Sequence, residues 1–195
     1  MSDRLVILLH GVGSDGANMA GLGDAWAGAL PRTTFVAPNA PDRFNAGYAW
    51  FSIVGVTEDN RPARVEAARP VFDATLNEII AQAGFTDRLD RVALVGFSQG
   101  SIMALDALAS GRLPVGAVVA FSGRLAAPIS PPHAGSPRLF ITHGTADPVV
   151  PIADDERAAR ELTAAGYKVM WGTVAGLGHS IVLPQLEAAV KFAKA

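Results

Sequence analysis

Short apolar runs alternate with amphipathic stretches along the chain. The apolar runs have the length and aliphatic composition of buried strands, whereas the stretches between them repeat apolar residues at helical spacing. The runs predict six strands, which cover Leu5–Leu9, Thr34–Ala37, Val92–Val95, Val115–Phe121, Arg138–Thr142 and Val169–Val174. The amphipathic stretches predict helices near Asn18–Leu30, Arg64–Ala83 with a kink at Pro70, Gln99–Ser110, Ile152–Ala165 and Leu183–Ala193. This alternation predicts an α/β fold, with a mostly parallel sheet of about six strands and helices on both faces.

The composition is that of a globular protein and narrows the class of function. At 195 residues the chain is long enough to bury a sizeable core, and we expect residues 1–195 to form one domain. A net charge of −2 and the lack of a basic patch give no indication of nucleic acid as a partner. The longest strongly apolar run, Leu5–Leu9, is too short to cross a bilayer, and no secretory signal is visible. We therefore expect a cytoplasmic protein without stable membrane insertion. The lack of cysteine excludes disulfides, thiolate metal sites and a cysteine nucleophile.

One serine stands between two glycines where an apolar run meets a helix. The segment Gly96-Phe97-Ser98-Gln99-Gly100 matches G-x-S-x-G, the nucleophile elbow, in which a strand reverses sharply into a helix. Glycine on either side removes the Cβ atoms that would clash in such a turn and leaves Ser98 at its tip. The pentapeptide alone has two other interpretations: a chance match in a glycine-rich chain, or a turn that binds a phosphate group. The strand before it and the helix after it favour a catalytic serine.

Polar residues also follow three of the other predicted strands. The first strand leads into His10-Gly11-Val12-Gly13, the fifth into His143-Gly144-Thr145-Ala146-Asp147, and the sixth into Gly178-His179. Ligands of parallel α/β sheets bind beyond the carboxyl ends of the strands, so polar residues in these loops are candidates for function. With Ser98 they give the chain order Ser, Asp, His that is found in α/β-hydrolases.

These stretches resemble the phospholipase/carboxylesterase family of α/β-hydrolases, which is related to the acyl-protein thioesterases. The matching segments are "LLHGVGSDG", "APNAPDR", "GFSQG", "FSG", "HGTADPVVP" and "GLGHSI", and they cover nearly the whole chain in the family's order. The resemblance implies an α/β-hydrolase fold with Ser98 as nucleophile, His179 as base and Asp147 as its orienting acid. It also implies an oxyanion hole from the backbone N–H groups of Val12 and Gln99, and an acyl pocket lined by Trp50 and Phe51. The segments Gly123–Arg138 and Ile53–Pro62 are too short for a large lid, which disfavours a long-chain lipase.

The chemistry of acyl transfer accounts for these residue types. A serine hydroxyl is a poor nucleophile at neutral pH and needs a base within hydrogen-bond reach, which His179 can be and Asp147 can orient. The sequence therefore predicts a serine carboxylesterase that hydrolyses small to medium acyl esters through an acyl-enzyme. Its partner is a small-molecule ester or thioester, and the chemistry requires no metal or cofactor. An acyl-thioesterase or a lysophospholipase with the same residues is the alternative, and a non-catalytic ligand receptor on the same fold is a more distant one.

Other polar residues near these loops are expected to have structural or solvent-facing positions. We expect His10 to brace the turn after the first strand, and His143 to be a buried, hydrogen-bonded residue that shapes the loop of Asp147. Asp106 lies roughly 12 Å along a helix axis from Ser98, too far to act there. Asp154 and Asp155 are predicted to face solvent on an amphipathic helix, so Asn at either position is expected to have little effect.

Overall fold

The fold is built around a sheet of six parallel strands. The structure is a computed structural model that describes residues 2–133 and 137–194. The strands, in chain order, are β1 (Arg4–Leu9), β2 (Thr33–Val36), β3 (Asp42–Phe44), β4 (Gly47–Ala49), β5 (Val92–Phe97), β6 (Ala117–Phe121), β7 (Arg138–Gly144) and β8 (Lys168–Val174). All except β3 and β4 belong to the large sheet, and these six lie within about two residues of their predicted bounds.

The order of the strands locates the place where a ligand can bind. All neighbouring pairs are parallel and the order is β2-β1-β5-β6-β7-β8. The chain leaves β1 toward one edge of the sheet and later returns on the other side of β1, so the winding reverses between β1 and β5. Parallel α/β sheets bind ligands beyond the carboxyl ends of the strands at such a point. Leu9 of β1 is paired with Gly96 of β5, so the loop after β1 and Ser98 emerge side by side.

Five helices cover the two faces of the sheet. They are α1 (Gly16–Ala27), α2 (Arg61–Gln82), α3 (Gln99–Ala109), α4 (Ile152–Ala164) and α5 (Leu183–Lys194), and α2 continues through Pro70. Alternate residues of β1 pack on opposite sides: Leu5 and Ile7 join the core formed with α2, α3 and α4, whereas Val6 joins the core formed with α1 and α5. Because both faces are buried, the strands read as continuous apolar runs rather than as alternating patterns.

The helices include neither a large lid nor a membrane-spanning segment among the described residues. In the part of the chain that the structure describes, no helical insertion forms a large lid over the carboxyl ends of the strands, as predicted. Within those same residues, no helix combines the length and the apolar character that crossing a bilayer requires.

The antiparallel hairpin of β3 and β4 is not predicted by the hydrophobic pattern. Each of its strands has only three residues, too few to show a period. The hairpin is instead bound to the loop after β1, because Gly13 N–H donates to the Tyr48 carbonyl and Tyr48 N–H donates to the Ser14 carbonyl, both at 2.8 Å. Tertiary contacts, rather than a local pattern, therefore define these two strands.

A buried carboxylate joins α2 to α3. Asp106 is fully buried, and its carboxylate accepts hydrogen bonds from Arg69 (2.9 and 3.1 Å) and from Arg112 (2.9 Å). Arg112, which follows α3, also donates to Asp73 of α2 at 2.8 Å. Asp106 is thus linked to α2 directly through Arg69 and indirectly through Arg112.

We expect Asp106→Asn to lower the free energy of unfolding by about 1–3 kcal/mol, because hydrogen bonds to a charged group are lost at Arg69 and Arg112. Denaturant unfolding measures this difference. An unfolding curve that coincides with that of the parent protein would show that these contacts contribute nothing to stability.

Candidate active site

Ser98 lies on a sharp turn between β5 and α3 whose shape depends on glycine. Its backbone has φ 53° and ψ −114°, a conformation with positive φ that costs an L residue about 1–3 kcal/mol. Helix α3 begins in contact with β1, since a Cβ at Gly100 would lie 2.1 Å from the carbonyl oxygen of Leu9. A Cβ at Gly96 would lie 2.4 Å from the backbone nitrogen of Ser101. Both glycines of the motif are therefore required by close backbone contacts.

The structure brings Ser98, His179 and Asp147 together in one chain of hydrogen bonds. Ser98 Oγ lies 2.9 Å from His179 Nε2, and His179 Nδ1 lies 2.7 Å from Asp147 Oδ2. Because an ionised carboxylate can only accept, Nδ1 of His179 carries a proton and Nε2 is free to accept from the Ser98 hydroxyl. The His179 side chain is 16% exposed and Ser98 is 8% exposed, whereas the Asp147 side chain is fully buried, so solvent has no access to the carboxylate end of this chain.

Asp147 is held by backbone donors as well as by His179. Its Oδ1 accepts from the N–H groups of Val149 (2.8 Å) and Val150 (3.0 Å). Burial opposes ionisation of this carboxyl, but the two N–H groups and the His179 ring outweigh that effect and lower the pKa of Asp147 below its ordinary value. Asp147 is therefore charged at neutral pH, which keeps the His179 proton on Nδ1.

The loops that carry Asp147 and His179 are in direct backbone contact. Ala146 N–H donates to the Leu177 carbonyl at 2.9 Å. A Cβ at Gly144 would lie 2.2 Å from that same carbonyl oxygen, so only glycine fits at the end of β7. This close approach sets the separation between the carboxylate and the imidazole.

The loop after β1 lies beside Ser98 and contains backbone donors. A Cβ at Gly11 would lie 3.3 Å from Ser98 Cβ, which places this loop in contact with the serine. Among the described residues, no backbone carbonyl accepts from the N–H groups of Val12 or Gln99. Gln99 is the first residue of α3, where N–H groups have no partner within the helix. Both N–H groups are thus available to a ligand.

Trp50 and Phe51 lie in the hydrophobic core and bind the side chain of Gln99. They are only 2% and 5% exposed, and the Trp50 ring meets Phe72 edge-on with 5.3 Å between ring centroids. Trp50 N–H donates to Gln99 Oε1 at 2.8 Å, and Gln99 Nε2 donates to the Phe51 carbonyl at 2.7 Å. These contacts hold the residue that follows Ser98. That Trp50 and Phe51 also bind substrate stays a prediction.

His10 braces the loop after β1, as the sequence predicts. Its Nε2 accepts from Ala40 N–H at 3.0 Å, so the proton is on Nδ1, which donates to the Gly11 carbonyl at 2.7 Å. Burial lowers the pKa of His10 in spite of the Gly11 carbonyl, in agreement with this neutral tautomer.

Two carboxylates of α4 are buried, which contradicts the prediction that they face solvent. Asp154 is 5% exposed and Asp155 is fully buried. Asp154 Oδ2 lies 3.0 Å from Nη1 of Arg124. Asp155 Oδ2 accepts from Gly123 N–H at 2.9 Å and lies 2.6 Å from Nδ1 of His143, itself fully buried as predicted. The reason for expecting little effect of Asn at either position is therefore wrong.

A pattern in the sequence could have identified Asp155. Residues at i, i+3, i+4 and i+7 share one face of a helix, and Asp155, Ala158, Ala159 and Leu162 have this spacing. All four are buried in the structure. The carboxylate thus belongs to the apolar stripe of α4, and a charge at such a position indicates a buried partner.

Comparison with known proteins finds relatives over nearly the whole chain. The family model described as phospholipase/carboxylesterase matches residues 2–195. Esterase YpfH of Escherichia coli (strain K12) is 36% identical over 184 residues, which cover 92% of this chain and 77% of that protein. Acyl-protein thioesterase 1 of Neurospora crassa is 28% identical over 208 residues, which cover 96% of this chain and 84% of that protein. The crystal structure of esterase PE8 has 37% sequence identity and a TM-score of 0.88, with 99% of this chain and 92% of that chain covered.

Proposed function

The chain is a serine hydrolase of the phospholipase/carboxylesterase family with an α/β-hydrolase fold, and we propose that it is a carboxylesterase whose nucleophile is Ser98. The observation that carries the proposal is the chain of hydrogen bonds from Ser98 Oγ through His179 to Asp147, at 2.9 and 2.7 Å. A ligand receptor on this fold would have no use for a serine activated in this way. The names of the relatives, esterase and thioesterase, agree with acyl transfer to water.

The first half of the reaction forms an acyl-enzyme. His179 Nε2 takes the proton of the Ser98 hydroxyl while Oγ attacks the acyl carbon of the ester, and the resulting imidazolium is stabilised by Asp147. His179 then gives this proton to the leaving alcohol or thiol as its bond to the acyl carbon breaks. In the second half, a water oxygen attacks the acyl carbon while His179 Nε2 accepts a proton from that water. The bond between the acyl carbon and Ser98 Oγ then breaks as His179 returns the proton to Oγ, and the acid is released.

The negative charge on the tetrahedral intermediate requires donors that are already in place. We assign this role to the backbone N–H groups of Val12 and Gln99, which have no backbone acceptor of their own among the described residues. One such donor typically contributes about 3–4 kcal/mol to transition-state stabilisation. The Gln99 side chain is hydrogen-bonded to the backbone N–H of Trp50 and to the carbonyl of Phe51. These bonds hold the residue in place, so the backbone N–H of Gln99 does not have to reorient during the reaction.

The substrate is proposed to be a small to medium acyl ester. The support for this size is the lack of a large helical lid in the described residues, since a long acyl chain needs an extended apolar surface to exclude water. A thioester is the second candidate, because acyl-protein thioesterase 1 of Neurospora crassa matches 96% of the chain. Both substrates would be cleaved by the same residues.

We expect Ser98→Ala to abolish hydrolysis of p-nitrophenyl butyrate, with a loss of up to about 10⁶-fold in kcat, and to abolish labelling by a fluorophosphonate probe. Both losses follow because Ser98 is the one hydroxyl within hydrogen-bond distance of His179 in the described part of the chain. Residual activity above a few per cent of the parent protein's would refute Ser98 as the nucleophile.

Asp147→Asn is expected to lower kcat by about 10⁴-fold, because an amide donor facing His179 selects the wrong tautomer of the imidazole. Asp106→Asn is the matched control: it also replaces a buried carboxylate, but one on the side of α3 that contacts α2, and it should leave kcat unchanged. Steady-state kinetics with p-nitrophenyl butyrate measure both. A nearly fully active Asp147→Asn protein would mean that another group orients His179.

We expect kcat/KM to rise with acyl length only over short chains and then to level off or fall, since each CH₂ buried in a pocket contributes roughly 0.8 kcal/mol and a short pocket soon stops burying them. A panel of p-nitrophenyl esters and matching thioesters from acetyl to palmitoyl measures this. Palmitoyl substrates that exceed butyryl substrates would contradict the proposed size class and favour a lysophospholipase. Thioesters that exceed the matching esters would favour the thioesterase alternative.

A further inference from the structure

A second His–Asp pair lies directly behind Asp147. Nε2 of His143 lies 3.1 Å from Asp147 Oδ2, which is the same oxygen that accepts from His179. Nδ1 of His143 lies 2.6 Å from Asp155 Oδ2. The side chains of His143, Asp147 and Asp155 are all fully buried, so no solvent competes for these contacts.

The contacts of His143 determine where its protons are. Nε2 faces the Val150 carbonyl at 2.9 Å and Asp147 Oδ2 at 3.1 Å, and Nδ1 faces the carboxylate of Asp155. Burial raises the pKa of Asp155, while the His143 ring and the Gly123 N–H favour its ionised form. With Asp155 ionised, all three partners are acceptors, and only an imidazolium donates from both ring nitrogens. Burial opposes this charge, but the hydrogen bond to Asp155 and the charges of Asp155 and Asp147 outweigh it and raise the pKa of His143 above its ordinary value.

We infer that His143, held by Asp155, is a positioning residue for the proposed catalytic acid: its Nε2–H group donates to the carbonyl of Val150, the residue whose N–H holds Asp147 Oδ1, and its ring lies against Asp147 Oδ2 at 3.1 Å, so that it fixes the carboxylate that His179 needs. This inference rests on the proposed function. Val149 and Val150 hold only the other oxygen, Oδ1, so His143 supplies a fixed contact beside His179 on Oδ2. The positive charge of His143 also reduces the attraction of Asp147 for the proton of His179.

Stability alone does not account for the pair. A buried ion pair gains little over an apolar pair of the same volume, because the cost of removing both charges from water cancels most of their attraction. Among the described residues, Asp155 Oδ1 has no hydrogen-bond partner, which makes this carboxylate a poor device for stabilising the fold. The one feature of the pair that leads to the reacting atoms is the contact from His143 to Asp147.

Several charged groups lie around His143 and bear on its protonation. They are Asp147 at the end of its own strand, Asp154 and Asp155 of α4, His179 of the turn after β8, and the two partners of Asp154, Arg124 and Arg157. Asp154 is neutralised by its two arginines, whereas within residues 2–133 and 137–194 the one ion-pair partner of Asp155 is His143. Changing His143 and Asp155 together therefore removes this charge pair without leaving a lone buried charge.

The test compares two double variants that replace the pair with side chains of similar shape. His143→Phe/Asp155→Asn removes the donor to Val150, the polar contact with Asp147 and the charge, while the Asn amide oxygen still accepts from Gly123 N–H. His143→Gln/Asp155→Asn also removes the charge but restores an N–H donor near the position of Nε2. Asp106→Asn is the control for loss of a buried ionic contact elsewhere, and circular dichroism with denaturant unfolding verifies that each variant is folded.

We expect the Phe double variant to lower kcat for p-nitrophenyl butyrate by about tenfold, as a loosely held catalytic group does. The acid limb of its pH profile of kcat/KM should move to higher pH, because the charge of Asp147 then acts on His179 alone. The Gln double variant should recover kcat to within about threefold of the parent protein and keep the shifted acid limb, since it has the hydrogen bond but not the charge. Asp106→Asn should change neither quantity.

The same double variants in an Asp147→Asn background separate positioning from a general structural effect. If His143 acts through Asp147, the Phe substitution should cause no further decrease in the rate of labelling of Ser98 by a fluorophosphonate, because the group it positions is already lost. An equal decrease in both backgrounds, a Gln variant as slow as the Phe variant, or an unmoved acid limb would overturn the inference. The proposed function is tested separately: it fails if Ser98→Ala remains active, whereas folded His143 variants that match the parent protein refute this inference alone.

Discussion

The contact between the start of α3 and the end of β1 is the constraint on which the site depends. At Gly100 the helix backbone is so close to Leu9 that no Cβ fits, and this approach forces the chain through positive φ at Ser98. The strain costs about 1–3 kcal/mol. It persists because every residue of α3 is buried, so the helix cannot move away to relax the turn without opening the core. The serine, which is 8% exposed, is thus held on a rigid turn, as a nucleophile needs to be.

The topology of the sheet places the other groups around that turn. β1 and β5 are neighbours at the point where the winding reverses, so the loop with the Val12 N–H and the turn with Ser98 meet beyond the carboxyl ends of these two strands. His179 is 81 residues from Ser98 in sequence, yet the parallel arrangement delivers both to the same edge. The last adjustment is local, because glycine at position 144 allows the turn before His179 to touch the end of β7.

Buried polar groups make this arrangement rigid rather than merely close. The Gln99 side chain bridges the backbone of residues 50 and 51, and His10 bridges Ala40 and Gly11. Each bridge satisfies groups that would be costly to bury alone, so a displacement of the site breaks several hydrogen bonds at once. The buried pair of His143 and Asp155 holds the proposed acid in a similar way, because His143 lies against the Asp147 carboxylate. The site is therefore held in place by buried hydrogen bonds as well as by the packing of the core.

The order and type of the strands and helices of the main sheet could be predicted from the sequence, because burial on both faces makes each strand a continuous apolar run and each helix an amphipathic stretch. Ser98, Asp147 and His179 could be singled out as well, since glycine marks the turns and parallel strands carry their loops to one edge. The β3–β4 hairpin could not, because its three-residue strands show no period and it is held in addition by hydrogen bonds to the loop after β1. The burial of Asp155 could be read from its place in the apolar stripe of α4, but its partner could not, because which imidazole a buried carboxylate meets depends on which strand end the helix packs against. The sequence by itself thus determined the elements and the residues at their ends, whereas distances between side chains from separate loops were decided by the tertiary structure, since they depend on how closely backbones far apart in sequence can approach.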